Sequence, residues 1–92
     1  MKTYTINFQT GADFITGQYE DLAAVKADAL ERMGLTYQSV EILDENGELA
    51  TRAQWFDGAA SEQDFELGIV LVQFGTAGYY ARWDDELNDY LV

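Results

Sequence analysis

The stretch SVEILDENGELATRAQWF, residues 39–56, sets two extended runs on either side of the pair Asn46-Gly47. Asn-Gly between such runs is a strong short-range hairpin signal, because both residues tolerate the positive φ of a type I′ turn. The arms are residues 39–43 and 48–56. On the second arm Leu49, Thr51, Ala53 and Trp55 alternate with Glu48, Ala50, Arg52 and Gln54, the two-residue period of a strand with one covered face.

Toward the N-terminus, residues 2–9 alternate in the same way, with Tyr4, Ile6 and Phe8 on one side and Thr3, Thr5 and Asn7 on the other. TGADFITGQ follows, as either a hairpin extension or an irregular link. From residue 19 to 34 the period changes to 3.6: Leu22, Val25, Ala29, Leu30 and Met33 share a side, opposite Glu20, Asp21, Asp28 and Glu31. Acids near the start and Arg32 near the end suit the helix dipole, and Gly34 stands at the expected left-handed C-terminal position.

Toward the C-terminus, Ser61 is placed to cap a short turn at Glu62, Gln63 and Asp64. LGIVLVQFG is a continuous apolar run rich in β-branched residues, which reads as the most buried strand, with a buried helix segment as the alternative. GYYARW is a further aromatic strand after a turn between Gly75 and Gly78. In DDELNDYLV, Asp84 or Asp85 is the expected cap of a short helix with Leu87, Tyr90 and Leu91 on one face. The expected fold class is α+β: a small antiparallel or mixed sheet, one main amphipathic helix packed on one face, and a short C-terminal helix. At 92 residues, 48% of them apolar, the expectation is one domain with one core.

The chain contains no His and no Cys. Catalytic triads, disulfides and most transition-metal sites therefore fall away. Paired carboxylates alone do not specify a glycosidase when 17 acids are present, and a chain this short leaves little room for a sugar cleft, so a non-enzymatic function without cofactors is expected. DENGELATRAQW puts Gly fourth and Trp twelfth, against the sixth-position Gly and twelfth-position Glu of an EF-hand loop. No metal site is expected.

The formal net charge is -12, from 17 Asp and Glu against 5 Lys and Arg. Such a field disfavours direct contact with nucleic acid or an anionic membrane and favours a basic protein surface. Tyr79, Tyr80 and Trp83 surround Arg82 but are better read as packing residues. No segment approaches the roughly 18 apolar residues of a membrane span, and a cytoplasmic location is the default expectation.

The acids are grouped. Asp44, Glu45 and Glu48 flank the hairpin turn; Asp57, Glu62, Asp64 and Glu66 fill the next loop; Asp84, Asp85, Glu86 and Asp89 lie at the end, and the main helix adds a fourth strip. The groups at Asp44, Glu45, Glu48, Asp57, Glu62, Asp64, Asp84, Asp85, Glu86 and Asp89 are the expected partner-binding residues. They would meet Lys and Arg as phosphates do, with exposed aromatics such as Trp55 or Tyr80 as packing anchors. The bland alternative assigns the acids to solubility alone.

MKTYTINF, YEDLAAVKADALERMG and VEILDENGELATRAQWFDG together resemble the small acidic proteins encoded by phages and prophages, among them anti-CRISPR proteins. The resemblance covers residues 1–58 and lies in size and architecture. It implies a stoichiometric inhibitor that binds a CRISPR effector such as the type I Cascade complex, or a nuclease, and blocks its positively charged DNA-binding surface; mimicry of DNA is the means that the acid groups themselves suggest. These proteins share no active motif, so the resemblance assigns no role to individual residues. A second expectation, of another class, is an accessory module that binds a protein partner through an apolar patch or an edge strand.

Overall fold

The computed structural model describes residues 1–8, 14–33 and 37–90, with the side chains of Met33, Asn88, Asp89 and Tyr90 outside that description. The elements run β1 (Lys2–Asn7), β2 (Phe14–Tyr19), α1 (Leu22–Met33), β3 (Val40–Leu43), β4 (Leu49–Ala53), β5 (Trp55–Asp57), α2 (Glu62–Glu66), β6 (Val70–Phe74), β7 (Gly78–Ala81) and α3 (Asp84–Tyr90). The fold is α+β, with one main helix and a short C-terminal one. The strands form two antiparallel sheets rather than one, ordered β2-β1-β3-β4 and β5-β7-β6.

The division falls within the predicted second arm of the hairpin. At Gln54 the strand leaves its β3 partner and joins β7: the Trp55 amide donates to Ser39 Oγ at 3.0 Å, and the Ala81 amide to the Gln54 carbonyl at 2.8 Å. The backbone groups freed by leaving one ladder are thus taken up, the carbonyl by β7 and the amide by a side chain just before β3. The alternation survives the change. Thr51 and Ala53 are buried and Trp55 continues on their side, packed against the core.

That core joins both sheets. Tyr4, Ile6 and Phe8 of the first strand and the segment after it, Val25 and Ala29 of α1, and Val40 and Ile42 of β3 cluster with Tyr80 of β7 and with Trp83. The helix contributes a narrower apolar stripe than its sequence implies, since Leu30 is exposed. It also begins later than residue 19, because Tyr19 still pairs with Lys2 as the last residue of β2, and Asp21 caps the helix by accepting from the Ala24 amide. TGADFITGQ is therefore a hairpin extension over its described part, residues 14–18. Its residues 10–13, the strand-end Gln9, the helix stop Gly34, and Leu91 lie outside the described residues.

Two local expectations change. The tip is not a type I′ turn: Gly47 has φ +79° while Asn46 keeps a negative φ. The Gly47 amide donates to the Asp44 carbonyl at 3.0 Å, and the Asp44 amide to the Glu48 carbonyl at 2.8 Å, the pattern of a three-residue loop closed by a glycine bulge. Further along, residues 70–74 form a strand, not a helix, but one that is half-buried throughout. It lies at a sheet edge. The central strand of that sheet, β7, is the buried one, with Gly78, Tyr80 and Ala81 enclosed.

Gly78 is held under the Trp55 indole. A Cβ there would run into the indole ring and stand 2.5 Å from the Phe56 carbonyl oxygen, which belongs to the paired backbone and cannot give way cheaply. Gly78→Ala is expected to cost about 2 kcal/mol or more, a fall of roughly 10 °C in Tm for a chain this size. Gly47→Ala, where φ is positive but nothing lies within 4 Å, should cost only about 1 kcal/mol. Thermal denaturation of the two variants checks the order; equal losses would contradict the crowding at Gly78.

Candidate interaction surface

The sheet-changing strand sets the spacing of the acid groups. From Glu48 to Asp57 there are nine residue steps at ~3.3 Å, so the hairpin tip and the following loop stand up to roughly 30 Å apart on a molecule 38 Å long. The C-terminal acids lie between them, where α3 packs on β4. The three groups follow one strand, but their chemistry differs.

At the tip, Asp44 is spent on the turn. Its Oδ1 accepts from the amides of Asn46 at 2.9 Å and Glu48 at 3.0 Å. Glu45 and Glu48 are exposed and form no ion pair among the described residues. They are free to meet an outside cation.

In the middle, the acids are internally paired. Lys26 Nζ of α1 lies 2.7 Å from Asp85 Oδ2 and 4.0 Å from Glu86 Oε2, and Arg52 of β4 lies 3.3 Å from Asp84. Thr51, whose hydroxyl is in the buried layer, donates to Asp85 Oδ1 at 2.5 Å and accepts from the Asp85 amide at 3.3 Å. Burial alone would raise the Asp85 carboxyl. The bonds from Lys26 and Thr51 outweigh it and hold the carboxyl below its ordinary range. Asp84 and Asp85 also sit in the first turn of α3, and the helix-starting carbonyl belongs to Trp83, which accepts from the Glu86 and Leu87 amides, so neither acid is the cap. The Asp89 side chain lies outside the described residues.

A similar internal pair fixes α1 to β2. Tyr19 donates its hydroxyl to Asp28 at 2.6 Å, and Arg32 lies 3.2 Å from the same carboxylate. The Tyr19 bond, with Arg32 adding to it, holds Asp28 below its ordinary range despite partial burial.

At the far end, Asp57 accepts from Trp55 Nε1 at 2.8 Å, and Ser61 caps α2 through the Asp64 amide at 3.2 Å, as its position implies. Asp57, Glu62 and Glu66 are exposed and, among the described residues, have no ion pair. Asp64 faces the Tyr79 hydroxyl; burial first, and then the charge of Asp64 and its hydrogen bond, raise the Tyr79 phenol. Sequence reasoning placed the aromatic anchors at Trp55 and Tyr80, but Tyr80 is fully buried and Trp55 is half-covered by the stacked Tyr37 ring at 5.0 Å. Among the described residues the exposed aromatics are Phe14, Tyr37, Phe56 and Phe65. Phe56, 42% exposed, stacks on Tyr79 at 5.4 Å, with Phe65 and Leu67 also exposed. The alternation that carries Trp55 inward is the signal that turns Phe56 outward.

Open grooves of about 440 Å³ lie among the described residues between the hairpin tip and Lys2 and between α1 and Trp83. Among the described residues no three His, Cys, Asp or Glu side chains are placed to hold a metal ion, and no helix is long and apolar enough to cross a membrane. The fold and its surface define an acidic two-sheet α+β protein with unpaired carboxylates at both ends. Comparison with protein-family models, curated proteins and solved structures gives no match to the chain.

The Asp85 contacts have a pH signature. With the folded carboxyl below the ordinary value of 3.8, its contribution is complete above that value and disappears as pH falls through the folded one. Asp85→Asn should lower stability by about 1 kcal/mol near neutral pH, a modest figure because the side chain is partly solvated. The difference in Tm between wild type and Asp85→Asn, followed from about pH 7 to pH 2.5, should shrink toward zero at the acid end. A constant difference would exclude the ion pair as its source.

Proposed function

We propose that this chain is a non-enzymatic inhibitor that occupies a positively charged nucleic-acid-binding surface of a host defence complex, such as the type I CRISPR effector, and excludes DNA from it. The setting for this role is the bacterial cytoplasm. One observation carries the reading: Glu45 and Glu48 at one end of the β4–β5 run, and Asp57, Glu62 and Glu66 at the other, are exposed and form no ion pair among the described residues, while Lys26 and Arg52 are committed to the acids in the middle.

A basic groove built for phosphates gains from neutralising such carboxylates much as it gains from DNA, because counterions are released in both cases. The two acid groups stand at most roughly 30 Å apart, so both fit within the length of about nine base pairs at ~3.4 Å each. The separation supports occupancy of an extended groove. The paired acids Asp84 and Asp85 contribute less, since Arg52 and Lys26 already neutralise them.

The test measures target-DNA binding by a purified, guide-loaded type I effector complex, with and without the protein, at low and high salt. Wild type is expected to abolish DNA binding at about 50 mM salt and to lose potency steeply by about 300 mM. Glu45→Lys with Glu48→Lys, and separately Asp57→Lys with Glu62→Lys and Glu66→Lys, should each weaken inhibition by about tenfold or more. DNA binding unaffected by the protein, or charge-reversed variants as potent as wild type, would overturn the proposal.

A further inference from the structure

The two sheets turn outer faces of opposite chemistry to solvent. On the first, Thr5 bonds to Thr16 across the strands at 3.0 Å, Asn7 donates to Glu41 at 3.4 Å, and Glu41 stands beside Arg52 in the register. Polar pairs like these are what a solvated sheet face ordinarily carries, and Phe14, opposite Asn7, is a single exposed ring among them. On the second, the outward row is Phe56, Tyr79 and Gln73, with Phe56 and Tyr79 stacked at an interplanar angle of 22°. Phe65 and Leu67, 53% and 52% exposed, lie on the α2 turn that Asp64 ties to Tyr79. Large apolar groups scattered singly on a surface need no explanation, but a stacked pair adjoining two more is a patch.

The segment that carries this patch has charge of one sign. No Lys or Arg occurs between Arg52 and Arg82, and that interval holds Asp57, Glu62, Asp64 and Glu66. Arg82 at its end is half-buried and committed to the backbone, donating from Nε to the Gly68 carbonyl at 2.6 Å. An aromatic centre with a carboxylate rim is the complement of one side chain above others. A guanidinium stacks flat on an aromatic ring while its edge bonds to carboxylates, whereas an ammonium keeps its hydration and lacks the flat face.

We infer that the outer face of the β5-β7-β6 sheet, centred on Phe56 and Tyr79 and bordered by the acidic α2 segment that carries Glu62, Asp64 and Glu66, docks an arginine-bearing segment of a protein partner. The inference rests on the proposed preference for basic partners and adds where the contact is centred and which cation it selects. In this arrangement the rings supply the water-excluding anchor and the rim supplies steering and register. The hairpin-tip acids take no part in the selection.

The experiment titrates isotope-labelled protein with amidated hexa-arginine and, separately, hexa-lysine at about 150 mM salt, following backbone amide signals. Hexa-arginine is expected to shift the signals of Phe56, Phe65 and Tyr79 and to bind about tenfold more tightly than hexa-lysine. Phe56→Ser with Phe65→Ser should erase that preference, and Glu62→Gln with Glu66→Gln should weaken both peptides; Glu20→Gln with Glu31→Gln, exposed near α1, should leave hexa-arginine binding within about twofold. The exposed positions keep the fold testable, and the amide spectrum of each variant confirms it. Equal affinity for the two peptides, or shifts spread across the hairpin tip with the Phe variants unaffected, overturns the docking face and leaves the charge-based function standing. Failure of both peptides to bind overturns both.

Discussion

A single strand that keeps its side-chain alternation while changing partners is the constraint on which the rest of this structure depends. Between Leu49 and Asp57 the chain pairs first with β3 and then with β7, and at Gln54 the amide and carbonyl groups released by the exchange are bonded by Ser39 Oγ and the Ala81 amide. Had the exchange inserted one extra residue, Trp55 would face solvent and Phe56 the core, because strand side chains alternate with period 2. With the alternation intact, Thr51, Ala53 and Trp55 all serve one core that Tyr80 and Trp83 complete.

The same strand arranges the charge. Its centre carries Thr51 and Arg52, which receive α3 through Asp85 and Asp84, while Lys26 reaches over from α1 and lies 6.0 Å from the Trp83 ring centroid. Three acid groups of similar composition thereby acquire different roles. The middle one holds a helix in place, part of the tip group builds a turn, and the remaining carboxylates at the two ends keep their full interaction with whatever lies outside. A chain with few cations has placed most of them where they secure packing.

Aromatic rings divide along the same line. Trp55, Phe74 and Tyr80 pack edge to face or tilted, with Tyr37 stacked above them, and the absence of a side chain at Gly78 makes room for the indole. One position away in register, Phe56 is exposed and Tyr79 only half-buried. The face proposed for an arginine-bearing partner is thus the reverse side of the strands that complete the core.

Much of this was legible in the residues themselves. Alternation in residues 2–8 and 49–55 found strands and their covered faces, the spacing of Val25 and Ala29 found the helix face, and Asn46-Gly47 and Ser61 found a turn and a cap, because these signals act over one to four residues. Sequence also determined the excess of negative charge and the absence of His and Cys. It did not determine that Asn46 would keep negative φ, which follows from the Asp44 carboxylate gathering the loop amides, nor that residues 70–74 would be an edge. Above all, the change of sheet at Gln54, the neutralisation of Asp84 and Asp85, and the exposure of Phe56 beside Tyr79 were decided by tertiary structure. Each depends on groups tens of residues apart in the chain, and only the closing of the core brings Lys26 to Asp85, Ser39 to Trp55 and Tyr79 to Phe56.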